Sequence, residues 1–530
     1  MRHDAACRAQ LILAVAWLLG RAWVVARAAQ AEAPPHQARR FAIVVTKETV
    51  QNAGWKGVVE ALREKHSAEV FHPGEGGLEG LKEKLGAFRP HYVCFVMRPE
   101  ELDREARARL RSNRGRAIEL PLCGIEYHRM GELVRSLDPD PYCDAIWAVL
   151  TAASPQDALR VVGAKPLVVR RGLSHVERGW LEWLESGVSF DETKKGRKYV
   201  KTPGKPPVET RGPDDTTAEF IRELNSGTVD MVSTSGHATE GDWQMGYSYR
   251  SGQLVTASRI ARLAERVREN YRKLLETPGP HGKLFGVDTA GRVLPVLSRN
   301  PKVYYSPGNC RIARVAGKDC MVLGWIHHGA MQFFGHVGLQ TRSCYAWGVA
   351  EYFLALQGRF TFAEAVWANQ QALRWELTRR GQRLPREKYL CCRDETCLPA
   401  QGKLFWETTV LYGDPAWEAR VKRVTDPLYE QTMRTEGTAQ GQLRVIFEAK
   451  MLRASRPSRP AVFILEQPLG SVVRVVEGPS DLVVADDFAL VPFWQPGAPS
   501  PKVGQRYRAV VVVQRASPKS DKALHREKNQ

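Results

Sequence analysis

The stretch that decides the fold is "AEFIRELNSGTVDMVSTSGHAT", Ala218 to Thr239. Its first part reads as a helix closed by Gly227, since glycine ends helices at little conformational cost. "TVDMVST" then reads as a strand. The apolar run stops on small and polar residues and a lone Gly236-His237 pair. A core histidine would sit inside such a run, not at its mouth. A helix feeding a strand is the repeating unit of an α/β protein.

The same alternation extends in both directions. Upstream, "RRFAIVVTKE" holds a strand from Phe41 to Val45, and "GWKGVVEALREKH" a helix. A second strand lies at His91 to Met97, and "YCDAIWAVLTA" supplies a third apolar run. "SPQDALRVV" opens a helix, with Ser154, Pro155 and Asp157 in its first turn. Downstream, "ASRIARLAERVRENYRKLL" places Ile260, Leu263, Val267, Tyr271 and Leu274 on one helical stripe. "KLFGVDTAGRVLPV" reads as a strand pair across a Gly-containing turn, and "PKVYYS" as a strand ending at "PGNC". "KDCMVLGWIHH" is a helix that stops at Gly329, and "AMQFFGHVG" a strand. Thr361 and Glu364 stand at capping-box spacing ahead of another helix. "VLYGDPAWEAR" is a strand that breaks at Gly413-Asp414-Pro415.

The expected architecture is a largely parallel sheet flanked by helices, in two α/β subdomains over 40–175 and 176–425. Residues 190–218 are charged and rich in Pro and Gly, and read as a surface loop or linker. Short β-type runs separated by Pro, Gly and Ser over 440–516 predict a separate all-β, sandwich-like module. The tail 517–530 is expected to be disordered.

The amino terminus has Arg2 and Arg8, an apolar stretch from Leu11 to Gly20, and A-x-A spacing at Ala26–Ala28 and Ala29–Ala31. This predicts a signal peptide over 1–31 and a secreted, periplasmic or cell-surface protein after its cleavage. The alternative is an uncleaved anchor. Nothing later is long and apolar enough to span a bilayer. The formal charge is +19, of which residues 1–31 carry +3, leaving +16. The cations are scattered, with no basic block and no aromatic RNA-binding motif, so no specific nucleic-acid partner is read. Nine of the ten cysteines lie beyond Cys7, too few for a disulfide scaffold and odd in number, so at least one thiol lacks a partner within the monomer.

His237 stands just past one strand and Cys310 just past another. In an open parallel sheet, chemistry sits beyond the carboxyl ends of the strands. If the two strands are neighbours, both side chains reach one rim. A thiol must lose its proton to attack, and an imidazole within reach accepts it and later protonates a leaving amine. The 73 residues between them leave room for the amphipathic helix and the strand pair. Gly236, Ala238 and Gly308 leave space for a substrate and for backbone donors to an oxyanion. Taken alone, the residues also fit a loop histidine and a structural cysteine.

"VDMVSTSGHAT", then "NPKVYYSPGNC", then "GAMQFFGHVG" and a closing "VLYGDPAW" resemble the gingipain-type cysteine peptidases, over roughly residues 40–420. The resemblance implies a caspase-like fold, with His237 as general base and Cys310 as nucleophile. It implies the backbone N–H groups of Ala238 and Cys310 as oxyanion donors, and protein or peptide substrates. A β-sandwich following the catalytic domain also belongs to that family. This sequence departs from the pattern by having Ala238 where the family has glycine after the histidine. The carboxylate that orients the histidine has no assigned counterpart; Glu177, Glu182 and Glu185 are the place to look. The family's structural calcium has no calcium-loop motif here. The other reading of the chain is an inactive secreted binding or scaffolding protein on the same fold.

Other candidates have plainer readings. Cys320 opens a helix, where the dipole favours a thiolate, but it follows no strand. His327, His328 and His336 invite a metal reading, yet no carboxylate or cysteine stands at ligand spacing. Cys391, Cys392 and Cys397 fit a disulfide better than a metal in an exported chain. "HPGEGGLEG" lacks the phosphate-loop Lys-Ser/Thr. Asp414 reads as a turn terminator. No cofactor and no metal is expected.

Overall fold

Twelve strands form one central sheet with helices on its faces, and three smaller sheets and a two-stranded ribbon complete the fold. The computed structural model describes residues 39–74, 77–103, 125–338, 344–379, 409–438, 442–466, 469, 471–493 and 500–514. The signal peptide read at 1–31, the cysteines Cys391, Cys392 and Cys397, and the tail 517–530 lie outside the described residues.

The chain enters the sheet with β1 (Phe41–Val45), β2 (Glu69–Phe71), β3 (Tyr92–Val96) and β4 (Ile146–Leu150). These pair in parallel in the order β2-β1-β3-β4. β1, β3 and β4 are buried along their whole length, as strands covered on both faces must be. Helix α1 (Ala53–His66) follows β1, and α2 (Pro155–Val162) follows β4. The start of α2 is legible in the sequence. The Ser154 hydroxyl accepts the Asp157 N–H at 3.2 Å, and Pro155 occupies a first-turn position where no N–H is needed.

Next come β5 (Leu167–Val169), β6 (Arg171–His175), β7 (Ser186–Phe190), β8 (Arg197–Lys201), β9 (Val208–Arg211), α3 (Thr217–Asn225) and β10 (Met231–Thr234). An insertion follows: β11 (Asp242–Gln244), β12 (Gln253–Thr256), α4 (Glu265–Glu276), β13 (Leu284–Val287) and β14 (Val293–Pro295). The chain then re-enters the sheet with β15 (Lys302–Tyr305), α5 (Met321–His327), β16 (Ala330–His336), α6 (Phe362–Arg379) and β17 (Thr409–Gly413). The order continues from β4 as β17-β16-β15-β10-β6-β7-β8-β9. β16, β15, β10, β6 and β7 run parallel. β17 runs antiparallel to β16. The α/β class read from the sequence is therefore the observed one. One sheet runs through both expected subdomains, with β6 at Arg171–His175 between β10 and β7, and the described residues from Arg40 onward form one compact unit.

Two local readings change. Residues 190–218 are not all loop: β8 and β9 form an antiparallel hairpin on the sheet edge. Only Tyr199 and Lys201 of β8 are buried and all of β9 is exposed. A short, charged edge strand is how sheets avoid pairing with other chains, and that same charge masks the strand in the sequence. The stripe from Ile260 to Leu274 is also split. A helical turn at Ala257–Ile260 precedes α4, which begins after Ala264. The stripe still packs as one face, forming with Val255, Phe285 and Val287 the small core of the insertion. Its four strands make a separate antiparallel sheet, β11-β12-β13-β14.

After β18 (Ala419–Val421), which pairs with β5, the β module starts at Tyr429. It contains β19 (Tyr429–Gly437), β20 (Gln442–Met451), β21 (Ala461–Ile464), β22 (Val472–Glu477), β23 (Val483–Val484), β24 (Phe488–Val491) and β25 (Arg506–Gln514). They form a four-stranded and a three-stranded antiparallel sheet. The module shares its core with the α/β part. Phe488 meets Tyr142 and Trp367 edge-on, and Trp375 Nε1–H donates to the Asp481 carbonyl at 2.9 Å. Helix α6 that carries both tryptophans has the expected capping box. Thr361 N–H donates to Glu364, and Glu364 N–H to the Thr361 hydroxyl.

Candidate active site

β10 and β15 are adjacent and parallel, in the register Met231–Val303, Val232–Tyr304 and Ser233–Tyr305. His237 follows β10 by three residues and Cys310 follows β15 by five, so both loops leave the same rim of the sheet. The condition the sequence left open, that the two strands be neighbours, is met.

The two loops are bound together by one buried side chain, Asn309. Its Nδ2 donates to the Gly236 carbonyl at 3.0 Å. Its Oδ1 accepts the Thr234 hydroxyl at 2.7 Å and the Ser306 hydroxyl at 2.6 Å. The Thr234 hydroxyl is in turn 2.6 Å from the Tyr304 phenol. Asn309, Thr234, Ser306 and Tyr304 are all fully buried. A closed polar network in a dry core fixes geometry, because every broken bond strands a partner. Here it fixes the residue before His237 against the residue before Cys310.

His237 opens a tight hairpin. Gln244 N–H donates to its carbonyl at 2.8 Å, and Thr239 N–H to the Asp242 carbonyl at 2.9 Å. These bonds flank the pair Ala238–Trp243 and leave the Ala238 N–H outside the hairpin's own bonding. Gly236 has φ +104, a conformation L residues rarely adopt, so the bend into His237 needs glycine. Trp243 is buried and its Nε1–H donates to the Ser235 carbonyl at 2.8 Å, anchoring the hairpin. The His237 side chain is exposed and its ring lies 5.1 Å from the Tyr247 ring. Cys310 is a half-buried thiol. Arg311 after it is left-handed, with φ +55, and its N–H donates to the Gly338 carbonyl at 2.9 Å. A non-glycine residue held there stores backbone strain, a recurrent feature of functional loops.

A third loop on this rim is missed by the sequence reading. Glu192 lies two residues past β7, the second parallel strand beyond β10. Its carbonyl accepts the N–H groups of Tyr247 and Ser248 at 2.6 and 3.1 Å. Its Oε2 lies 4.0 Å from where a Cβ on Gly236 would stand. That oxygen is buried and has no hydrogen-bond partner. Burial pushes the Glu192 carboxyl up to about 7; Asp191 and Glu177 add to the rise, and a bond with Ser235 opposes it. Of the three glutamates singled out in the sequence, Glu185 is bound at 2.5 Å by Lys422, and Glu177 is exposed. Glu182 gives its carbonyl to Lys201. The signal that would find Glu192 is the one that finds His237 and Cys310: a polar residue just past a parallel strand.

The remaining candidates have structural roles. Cys320 caps α5 but is fully buried, and burial pushes its thiol up to about 11, so desolvation overrides the helix dipole. His327 bonds Asp157 at 3.0 Å and Arg299 at 2.6 Å, His328 accepts the Lys283 N–H at 2.9 Å, and His336 faces the Pro307 carbonyl at 3.4 Å. The three rings share no partner. Because β17 runs against β16, Asp414 leaves the sheet at the amino end of β16, the opposite rim from Cys310. It is buried there, bonded to Lys65 at 2.9 Å and His66 at 2.8 Å. Burial alone would raise its carboxyl, and those two partners outweigh it and hold it low. Asp138, Asp140 and Asp144, on the loop into β4, each bring a carboxylate oxygen within 4.8 Å of the others.

Comparison with family models, with curated proteins and with solved structures returned no match.

Proposed function

We propose that the chain is an exported cysteine endopeptidase. The observation that carries this is the Asn309 bridge, which holds the loops of His237 and Cys310 together at one rim of a parallel sheet. His237 takes the thiol proton, and Cys310 Sγ attacks the scissile carbonyl carbon to form a tetrahedral oxyanion. The N–H groups of Ala238 and Cys310 receive that oxyanion. Its collapse breaks the C–N bond, His237 returns the proton to the leaving amine, and a thioester remains. Water, deprotonated by His237, hydrolyses the thioester and restores the thiol. Ala238 in place of glycine keeps the backbone donor. The resemblance to gingipain-type peptidases supports the same assignment, and the apolar stretch with A-x-A spacing over 1–31 supports export. Among the described residues no helix is long and apolar enough to cross a membrane.

The competing reading is a binding protein that kept the fold without the chemistry. Alkylation by iodoacetamide at pH 7, mapped residue by residue, separates the two. Cys94, Cys143 and Cys320 are buried, and burial pushes each thiol up, so they react slowly. Among the described cysteines Cys310 is expected to react first, and His237→Ala to slow it by about tenfold or more. A Cys310 rate indifferent to His237 removes the peptidase reading.

A further inference from the structure

The insertion between His237 and Cys310 forms an open recess of about 720 Å³, bounded by the 244–253 loop, the start of α4 and the β13–β14 turn. It adjoins the candidate site directly. Tyr247 lines it, 54% exposed, with its ring against His237. Gln244 also lines it and bonds the His237 carbonyl through its N–H. The wall on that side is fixed: Tyr247 and Ser248 are pinned to the Glu192 carbonyl, and the Tyr249 hydroxyl donates to the Asp191 carbonyl at 2.9 Å.

The charge of the lining is one-sided. Its single carboxylate, Asp288, is already taken by the Arg292 backbone N–H at 2.8 Å and the Arg292 Nε at 2.5 Å. Two arginines, Arg250 and Arg266, also line the recess, and both are exposed. Neither makes a hydrogen bond or ion pair through its side chain among the described residues. On the same helix as Arg266, by contrast, Arg268 and Arg272 share Glu265. Two unneutralised guanidinium groups and an exposed phenol around one recess match a carboxylate-bearing ligand.

We propose that this recess is a substrate subsite that receives an acidic side chain of the peptide. The proposal rests on the peptidase reading. Arg250 and Arg266 bind the carboxylate, Tyr247 forms the wall between the subsite and His237, and the chain prefers acidic substrates.

The test is binding to full-length Cys310→Ala protein, which cannot turn over the probe, followed by fluorescence anisotropy. Fluorescein-labelled hexaglutamate and hexaglutamine are the probes. Hexaglutamate is expected to bind more tightly. Arg250→Gln and Arg266→Gln, both surface changes, should each weaken it by about three- to tenfold and the pair by more. Arg434→Gln removes an exposed cation on β19 and controls for the chain's overall positive charge, so it should change affinity by less than about twofold. Equal binding of the two probes, or arginine variants that bind hexaglutamate like Arg434→Gln, overturns the subsite. Stronger displacement by heparin than by unlabelled hexaglutamate overturns the peptide assignment. Alkylation of Cys310 in the unmodified chain is read in parallel. His237-dependent labelling with arginine-independent binding sinks the subsite alone. Arginine-dependent binding with His237-independent labelling sinks the peptidase reading and leaves an acidic-ligand site.

Discussion

Asn309→Ala is expected to lower stability by about 3–5 kcal/mol and to cut the alkylation rate of Cys310 to near that of the His237→Ala protein. The change deletes the bonds to Gly236, Thr234 and Ser306 at once. It leaves a carbonyl and two hydroxyls in a region with no solvent access. Each stranded group costs about 1–3 kcal/mol, and re-aiming the hydroxyls recovers part of it. The functional loss has a separate cause, since the Gly236 carbonyl is then free to move and His237 follows it. Asn309→Asp distinguishes the two effects. It keeps both acceptor interactions but sets a buried carboxylate oxygen against the Gly236 carbonyl oxygen. Protonation restores a donor there. Burial raises the folded-state pKa of such an acid, so stability is retained at low pH and lost as pH rises through that value. A urea titration at pH 4 and pH 8 checks this. An Asn309→Ala midpoint within error of the wild type would remove the bridge from the argument.

That bridge also shows what a single sequence can and cannot disclose. The positions of His237 and Cys310 past their strands are readable, because apolar runs ending on small polar residues mark carboxyl ends of buried strands. The helix caps at Ser154 and Thr361 are readable because their hydrogen bonds are local. The adjacency of β10 and β15 is not, because the intervening residues fold into their own sheet and the pairing depends on contacts between residues about 70 positions apart. Asn309 carries no local signal either. It is one polar residue in a turn, and apart from nearby Ser306 its partners, Thr234 and Gly236, lie about 70 residues away at the end of β10. Glu192 is hidden for a different reason. The segment after β7 is so charged that it reads as a linker, which conceals β7 and its rim position. Asp414 shows the converse: it is polar and follows a strand, yet the reversed direction of β17 carries it to the far rim.

Glu192→Gln is expected to stabilise the protein by about 3 kcal/mol at pH 8 and by almost nothing at pH 4. The Glu192 carboxyl sits near 7 in the folded chain against an ordinary 4.5, chiefly because it is buried. Below 4.5 both folded and unfolded chains hold the proton, and no penalty arises. Between 4.5 and 7 the unfolded chain ionises while the folded chain keeps its proton, so stability falls as pH rises. Above 7 the penalty is complete. The amide of the Glu192→Gln protein never ionises and escapes it. A buried carboxylate that weakens the fold at neutral pH is hard to explain as architecture, because glutamine would fill the same space. It is explained if its charge is used where it stands, beside the bend that carries His237. The alkylation rate of Cys310 should then rise with pH through about 7 in the wild type. Glu192→Gln should lose that step while gaining stability. A variant that gains stability and keeps the wild-type pH profile would assign Glu192 no part in positioning His237.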